Sequence, residues 1–312
     1  MIYTITLNPA IDHIILSNKP VELGITNIYS DEYKVIGGKG INAGVILNNL
    51  ESKVKAIGIM GKENKDIFLN KFQEVRLNNH FLLNPGNTRV NYKIKHLESH
   101  QETELNGMGF ETESKIIDEL LKYLELNLEK KDIVIVTGSV ARGISKDIYK
   151  TIGQIVNKKE ALLVCDANNE LLKNALEAKP YLIKPNLEEI YSTLGLEFEE
   201  NISFEKEKEL IEKLQNLGAQ NVLLSKGSKG SLYFTSDKKI YQVGIAKGKL
   251  VNSVGAGDSM LAGFVYGIDN NLSVEKTLQY AAASGGATAF NEWLASKEEI
   301  LALIDQIEVV VK

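Results

Sequence analysis

The strongest constraint on the fold is a rhythm in the middle of the chain. Short apolar runs alternate with longer stretches of helical spacing. Ile133-Val-Ile-Val-Thr137 reads as a buried strand, followed by Leu162-Leu-Val-Cys-Asp166, Tyr181-Leu-Ile-Lys184 and Asn221-Val-Leu-Leu-Ser225. Between them, Lys146–Lys158, Glu170–Ala178, Leu187–Leu194 and Phe204–Leu217 place apolar residues at helical intervals. A strand that is apolar throughout must be covered on both faces, and strands separated by helices pair in parallel. The expected class is α/β, with a mostly parallel central sheet between two helical layers.

Two regions break the rhythm. Residues 11–35 and 87–105 show shorter alternation of mixed polarity, as in Asn91-Tyr-Lys-Ile-Lys95. They predict antiparallel strands that form a small sheet, a lid, inserted into a single unit spanning residues 1–312. Open α/β sheets bind ligands beyond the carboxyl ends of their strands. Three polar clusters fall there: Thr137-Gly-Ser139, Lys184-Pro-Asn186 and Ser225-Lys-Gly227.

Composition narrows the function. A net charge of -5 gives no footprint for nucleic acid. The single cysteine, Cys165, excludes an intramolecular disulfide and reads as a core thiol. The N-terminus alternates like a strand and has no basic leader, and no uncharged apolar run is long enough to span a membrane. A soluble, cytoplasmic protein is expected. His13, His80, His96 and His100 are scattered and read as surface or lid residues, without zinc spacing. The patterns of a P-loop, a dinucleotide-binding turn and a hydrolase nucleophile elbow are all missing from the sequence.

The segment Val251-Asn-Ser-Val-Gly-Ala-Gly-Asp-Ser-Met-Leu-Ala-Gly-Phe264 carries the sharpest chemical signal. A glycine-rich loop runs straight into an apolar helix. The amides of Gly255, Ala256, Gly257 and Asp258 are expected to stand unpaired at the helix start, which favours an anion. A carboxylate beside an anion site repels the anion, so the presence of Asp258 there points to a chemical role. The simplest role is to take a proton from a hydroxyl while phosphate charge builds on the amides. A plain glycine turn with an Asp near the helix start is the alternative.

Four further segments each allow two readings. Gly37-Gly-Lys-Gly-Ile-Asn42 leads into the helix Ala43–Leu50; Lys39 and Asn42 can donate to hydroxyls or an anion, or the segment is a simple turn with a solvated lysine. Asn186 and Glu189 share one helix face, suited either to Mg²⁺ or to a capping box. Ser225-Lys-Gly-Ser-Lys-Gly230 is a hairpin loop or a backbone shelf for a nucleotide. The small-residue helix Ala281–Ala289, with Ser284 at its centre, packs closely on a neighbour or leaves room for a flat ring.

Two glycine motifs, a Lys-Pro-Asn-x-x-Glu and a Ser-x-Gly-x-x-Gly thus stand in order along one chain. This combination resembles the PfkB (ribokinase-like) carbohydrate kinase family over essentially the whole length. Thr6-Leu-Asn-Pro-Ala-Ile-Asp12, Thr88-Arg89, Thr103-Glu-Leu-Asn106 and Asn252-Ser-Val-Gly-Ala-Gly-Asp-Ser-Met260 are most similar to its branch of 1-phosphofructokinases and tagatose-6-phosphate kinases. Gly107-Met-Gly109 and Ala43-Gly-Val45 depart from that branch's usual residues.

The resemblance implies a ribokinase-like three-layer fold and ATP-dependent phosphorylation of D-fructose 1-phosphate at its 6-hydroxyl. Tagatose 6-phosphate is the alternative acceptor, and a non-catalytic sugar-phosphate sensor the alternative class. It implies Asp258 as catalytic base with Gly255, Ala256 and Gly257 as the anion hole. Asp12, Gly38, Lys39 and Asn42 would hold the sugar, and Arg89 its phosphate. Lys184, Ser225, Gly227, Gly230 and Ser284 would face ATP, with Asn186 and Glu189 toward Mg²⁺. The same resemblance implies a homodimer joined through the lid.

Overall fold

A computed structural model describes residues 1–99 and 101–312, so His100 lies outside the described residues. The strands are β1 Ile2–Thr6, β2 Ala10–Ser17, β3 Asp31–Gly37, β4 Val54–Gly61, β5 Asn79–Asn84, β6 Arg89–His96, β7 Glu102–Asn106, β8 Ile133–Thr137, β9 Leu162–Asp166, β10 Leu182–Ile183, β11 Asn221–Ser225, β12 Ser231–Phe234, β13 Ile240–Val243 and β14 Val309–Val311. The helices are α1 Lys39–Asn49, α2 Lys65–Glu74, α3 Ser114–Asn127, α4 Ile148–Lys158, α5 Asn169–Leu176, α6 Leu187–Leu194, α7 Phe204–Leu217, α8 Ala256–Asp269, α9 Val274–Ala289 and α10 Lys297–Leu301.

The main sheet runs in the order β14-β13-β12-β11-β10-β9-β8-β1-β4-β5. From β11 to β5 every pairing is parallel; β12, β13 and β14 add an antiparallel end. Alternating residues of one strand enter two separate cores. Val134 and Val136 pack with α3, α4, α5 and α7, while Ile133 and Ile135 pack with α1, α2, α8 and α9. The side-chain period of two forces this division, which is why β8 is apolar from Ile133 to Val136. The expected three-layer α/β class, with a mostly parallel central sheet and a separate small sheet, is borne out. Strand β10 is shorter than the expected 181–184: Pro185 has no amide to donate, so the ladder stops. Helix α1 starts earlier than expected, at Lys39, which puts Lys39 and Asn42 in its first turn.

The second sheet has four strands, in the order β3-β2-β6-β7. It is mixed, not wholly antiparallel as the alternation predicted: β2 and β6 pair in parallel, flanked by antiparallel β3 and β7. Chain direction explains the difference. Strands β1 and β5 run parallel in the main sheet, so β2 and β6, which follow them, leave it in the same sense. Strands β3 and β7 are the returning partners.

Candidate active site

The carboxyl ends of β1, β8, β9 and β11 open into one cleft of about 460 Å³, lined there by Thr6, Thr137, Asp166 and Ser225. The N-terminus of α8 closes one side. Gly255 is its N-cap with a φ of 81°, in the left-handed region that favours glycine. Gly255, Gly257 and Asp258 all line the cleft. Ala256 corrects the sequence reading. Its amide donates to the Ser253 carbonyl at 3.2 Å, closing the tight turn that starts the helix, and it faces a different cavity. The anion-facing set is therefore narrower than four successive amides.

Asp258 is 7% exposed and accepts a hydrogen bond from Asn42 Nδ2 at 2.8 Å. Burial pushes its pKa from 3.8 up to about 6, and the nearby Asp166 pushes the same way; Lys39, Asn42 and Lys184 oppose them. A carboxylate tuned to about 6 is still ionised at neutral pH and is a better base than an exposed aspartate. Asp166 is the centre of the charge arrangement. It ends β9 almost fully buried, with Lys39 Nζ and Lys184 Nζ each 3.4 Å from one of its oxygens. Burial alone would lower the Lys39 pKa, but Asp166, Asp258 and Glu189 outweigh it and raise it. Lys39 comes from the first turn of α1 and Lys184 from the loop after β10. One carboxylate therefore joins the two sides of the cleft.

The small sheet forms the opposite wall. Asp12 on β2 accepts from Asn91 Nδ2 at 2.9 Å and pairs with Lys93 Nζ at 3.5 Å. A side chain at Gly38, where φ is 140°, would come within 2.8 Å of Thr6 Cγ2, so the loop lies close against β1. Arg89 begins β6 half-buried. Its guanidinium donates only to the backbone carbonyls of Pro9 at 3.3 Å and Asn8 at 3.4 Å, with no carboxylate partner among the described residues. Burial lowers its pKa against the pull of Asp12. Arg89 also lines a second cavity on the other face of the lid.

Asn186, Glu189 and Ser225 reach the cleft from the adjoining ends of β10 and β11, where Asn186 and Ser225 form a bridge. The capping reading of Asn186 and Glu189 is realised. Asn186 Oδ1 accepts from the Glu189 amide at 2.8 Å and Glu189 Oε2 from the Asn186 amide at 2.9 Å. Both residues line the cleft as well, so capping and ligand binding are compatible. Among the described residues no cluster of three metal-binding side chains occurs. One carboxylate and one amide fit a Mg²⁺ ion that keeps most of its waters.

Ser225 and Gly257 also line an adjoining, largely apolar cavity of about 520 Å³. Gly227, Gly230, Gly285, Gly286 and Phe290 form parts of its wall. Small residues of α9 do leave open space here. Ser284 does not face it: the residue is fully buried against α8, where a Cβ at Gly263 would lie 2.5 Å from Ser284 Oγ. Helical geometry turns residues 282, 285, 286 and 289 to the cavity and 284 to the neighbouring helix. Packing on α8 therefore turns Ser284 away from the cavity where the sequence places the nucleotide.

The three described histidines stand apart from this centre. His13 pairs with Glu32, His80 stacks on Tyr123 and His96 bonds to Asn18 and Ser99. Sequence reasoning missed Asp166, Asn91 and Lys93. Asp166 had one readable signal, an acidic residue ending an otherwise apolar parallel strand. Asn91 and Lys93 had none, because they meet Asp12 only through the pairing of β2 with β6.

The description "pfkB family carbohydrate kinase" matches residues 5–298. The chain belongs to that family. Bacillus subtilis 1-phosphofructokinase is 36% identical over 312 residues, covering 99% of both chains. Bacillus licheniformis D-tagatose-1-phosphate kinase is 30% identical over 317 aligned positions, with 99% of both covered. The structure of Escherichia coli phosphofructokinase-2 in complex with substrates and products superposes with a TM-score of 0.89 at 22% identity, covering 98% of each chain, which shows a shared fold. The family is one of carbohydrate kinases.

Proposed function

We propose that this pfkB-family chain transfers the γ-phosphoryl group of ATP to the 6-hydroxyl of D-fructose 1-phosphate, giving D-fructose 1,6-bisphosphate and ADP. The observation that carries the reading is the buried Asp258 at the start of α8, in one cleft with Arg89 at the root of the lid, which has no carboxylate partner among the described residues. The relatives named 1-phosphofructokinase support the choice of sugar.

In this reading Asp12, Gly38, Lys39 and Asn42 hold the sugar, and Arg89 grips the phosphate already on it. Asn42 keeps Asp258 turned toward the acceptor hydroxyl. As the oxygen of that hydroxyl bonds to the γ-phosphorus and the bond to the β-phosphate oxygen breaks, the hydroxyl proton passes to Asp258. The amides of Gly255 and Gly257 compensate charge on the transferring group. A loose transition state needs this positioning more than covalent help. Lys184, Ser225 and Gly227 face the phosphates of ATP, with the adenine in the apolar cavity against α9. Asn186 and Glu189 would hold Mg²⁺ through its waters, and the ion would screen the β- and γ-phosphates. The small sheet closes over the cleft and excludes water, which protects ATP from hydrolysis.

The D-tagatose-1-phosphate kinase relative favours a second reading, in which D-tagatose 1-phosphate is the acceptor. Tagatose differs from fructose only at carbon 4, so the phosphate grip and the 6-hydroxyl are unchanged. A coupled ADP-release assay with the 1- and 6-phosphates of fructose and tagatose tests both. Highest kcat/KM with fructose 1-phosphate supports the first reading, and highest with tagatose 1-phosphate the second. No turnover of any of the four would refute both readings.

We also propose that two copies pair through their lids. The loop between β2 and β3 exposes Leu23, Ile25 and Ile28, and Leu105 is exposed on β7. Apolar exposure on this scale marks an interaction surface. Sedimentation of the wild type and of a Leu23→Glu/Ile28→Glu variant checks this, with a shift from dimer to monomer expected.

A further inference from the structure

Asn64 occupies the N-cap of α2, the position where an asparagine ordinarily accepts a hydrogen bond from the helix's own first-turn amides. Its side chain makes no such bond. Instead Asn64 Oδ1 accepts from the Thr88 amide and Asn64 Nδ2 donates to the Thr88 carbonyl, each at 2.9 Å. A cap residue that leaves its helix uncapped to hold one distant residue by both backbone groups is a local conflict, and such conflicts concentrate at functional sites.

Thr88 is 1% exposed and directly precedes Arg89. Its Oγ1 accepts from the Gly61 amide at 2.7 Å. The close approach leaves no room for a side chain, since a Cβ at Gly61 would lie 2.1 Å from the Thr88 nitrogen. The turn carrying Asn64 is zipped to the same segment by two more bonds, from the Lys62 amide to Asn84 O and from the Glu63 amide to Gly86 O. Asn84, fully buried, ties in the returning root of the lid: its Nδ2 donates to Pro85 O and Glu111 O, and its Oδ1 accepts from the Glu113 amide. Only one residue beyond this clamp, β6 begins with Arg89.

We propose that Asn64 is a positioning residue for Arg89: it locks the root of β6 to the body so that the guanidinium is fixed at the height of the sugar-bound phosphate. The inference rests on the reading of Arg89 given above. The lid then moves about an anchored first residue, and the phosphate grip belongs to the rigid body of the enzyme. Long flexible side chains bind an anion best when their backbone is fixed, and a displacement of about 1 Å can cost about 100-fold in catalytic efficiency.

The test compares Asn64→Ala, Asn64→Asp and Arg89→Ala, with the Asn64→Ala/Arg89→Ala double variant, in steady-state kinetics and amide hydrogen exchange. Asn64→Ala should raise the KM for fructose 1-phosphate about 10- to 100-fold. The KM for ATP should stay within about twofold, and exchange at Thr88 and Arg89 should accelerate, since a held amide is protected. Asn64→Asp keeps the acceptor for the Thr88 amide and also suits an N-cap, so it should fold and show a smaller rise. In the Arg89→Ala background, Asn64→Ala should add nothing to the sugar KM, because residues acting through one contact are not additive. An equal rise in both backgrounds, an equal rise in the ATP KM, or unchanged exchange at Thr88 overturns the clamp. A normal sugar KM in Asn64→Ala beside a raised one in Arg89→Ala does the same. An unchanged sugar KM in Arg89→Ala overturns the phosphate reading itself, and the role given to Asn64 falls with it.

Discussion

Replacing Asp258 by Asn should make the protein inactive and more stable at once. The folded environment moves this carboxyl from 3.8 to about 6, chiefly through burial and secondly through Asp166. A rise of about two pH units corresponds to about 3 kcal/mol by which the fold disfavours the ionised group. The sign follows from proton binding. Between about pH 4 and pH 6 the folded chain holds the Asp258 proton and the unfolded chain has lost it, so wild-type stability falls as pH rises through that window. Asparagine has no proton to lose and can still accept from Asn42. The variant should therefore match the wild type near pH 4 and exceed it by up to about 3 kcal/mol above pH 7. With an unfolding entropy of about 2.1 cal/mol/K per residue over 312 residues, the Tm should rise by about 4–5 °C at pH 8. Loss of a general base typically costs about 10²- to 10⁴-fold in rate, so kcat should fall by at least 100-fold with the KM for ATP largely kept. Melting curves at pH 4.5 and pH 8, beside the ADP-release assay, measure both effects. A variant less stable than wild type at pH 8 would refute the electrostatic account. A kcat within tenfold of wild type would refute the base assignment.

Three further outcomes are expected. Arg89→Ala should lower kcat/KM for fructose 1-phosphate about 30- to 1,000-fold, the loss of a charged contact of about 2–4 kcal/mol, while the KM for ATP hardly moves; equal changes in the two KM values would argue against a phosphate grip. Glu189→Gln should raise the magnesium concentration needed for half-maximal activity, and because Gln can still accept from the Asn186 amide, the loss of charge at the start of α6 should cost only about 0.3–1 kcal/mol in a melting experiment. Asp166→Asn removes a charge that raises the Asp258 pKa, so the acid limb of the kcat/KM pH profile, expected near pH 6 in the wild type, should move to lower pH; a move to higher pH would contradict the arrangement.

The family, the layered α/β architecture and most of the cleft were legible in the sequence because they are local in origin. A parallel strand buried on both faces needs an unbroken apolar run, so β8, β9 and β11 could be read residue by residue. The turn into α8 needs a residue that tolerates a positive φ, which marks Gly255. Asn186 and Glu189 sit three apart on one helix, so their pairing follows from helical geometry alone.

What stayed hidden depends on which distant segments meet. The amide of Ala256 looked free in the sequence and is taken by Ser253 only because the turn before α8 tightens. Ser284 was one of several small residues on α9, and only the packing of α8 against it decided which of them face a cavity. The parallel pairing of β2 with β6 follows from the direction in which β1 and β5 leave the main sheet, a property of the whole topology. That pairing brings Asn91 and Lys93 to Asp12, and the ends of β9 and β10 bring Lys184 to Asp166. Sequence determined the elements and the chemical groups they carry, because propensity and periodicity act over a few residues. Tertiary structure decided the charge environment that tunes Asp258, because electrostatic energy depends on burial and distance between groups far apart in the chain.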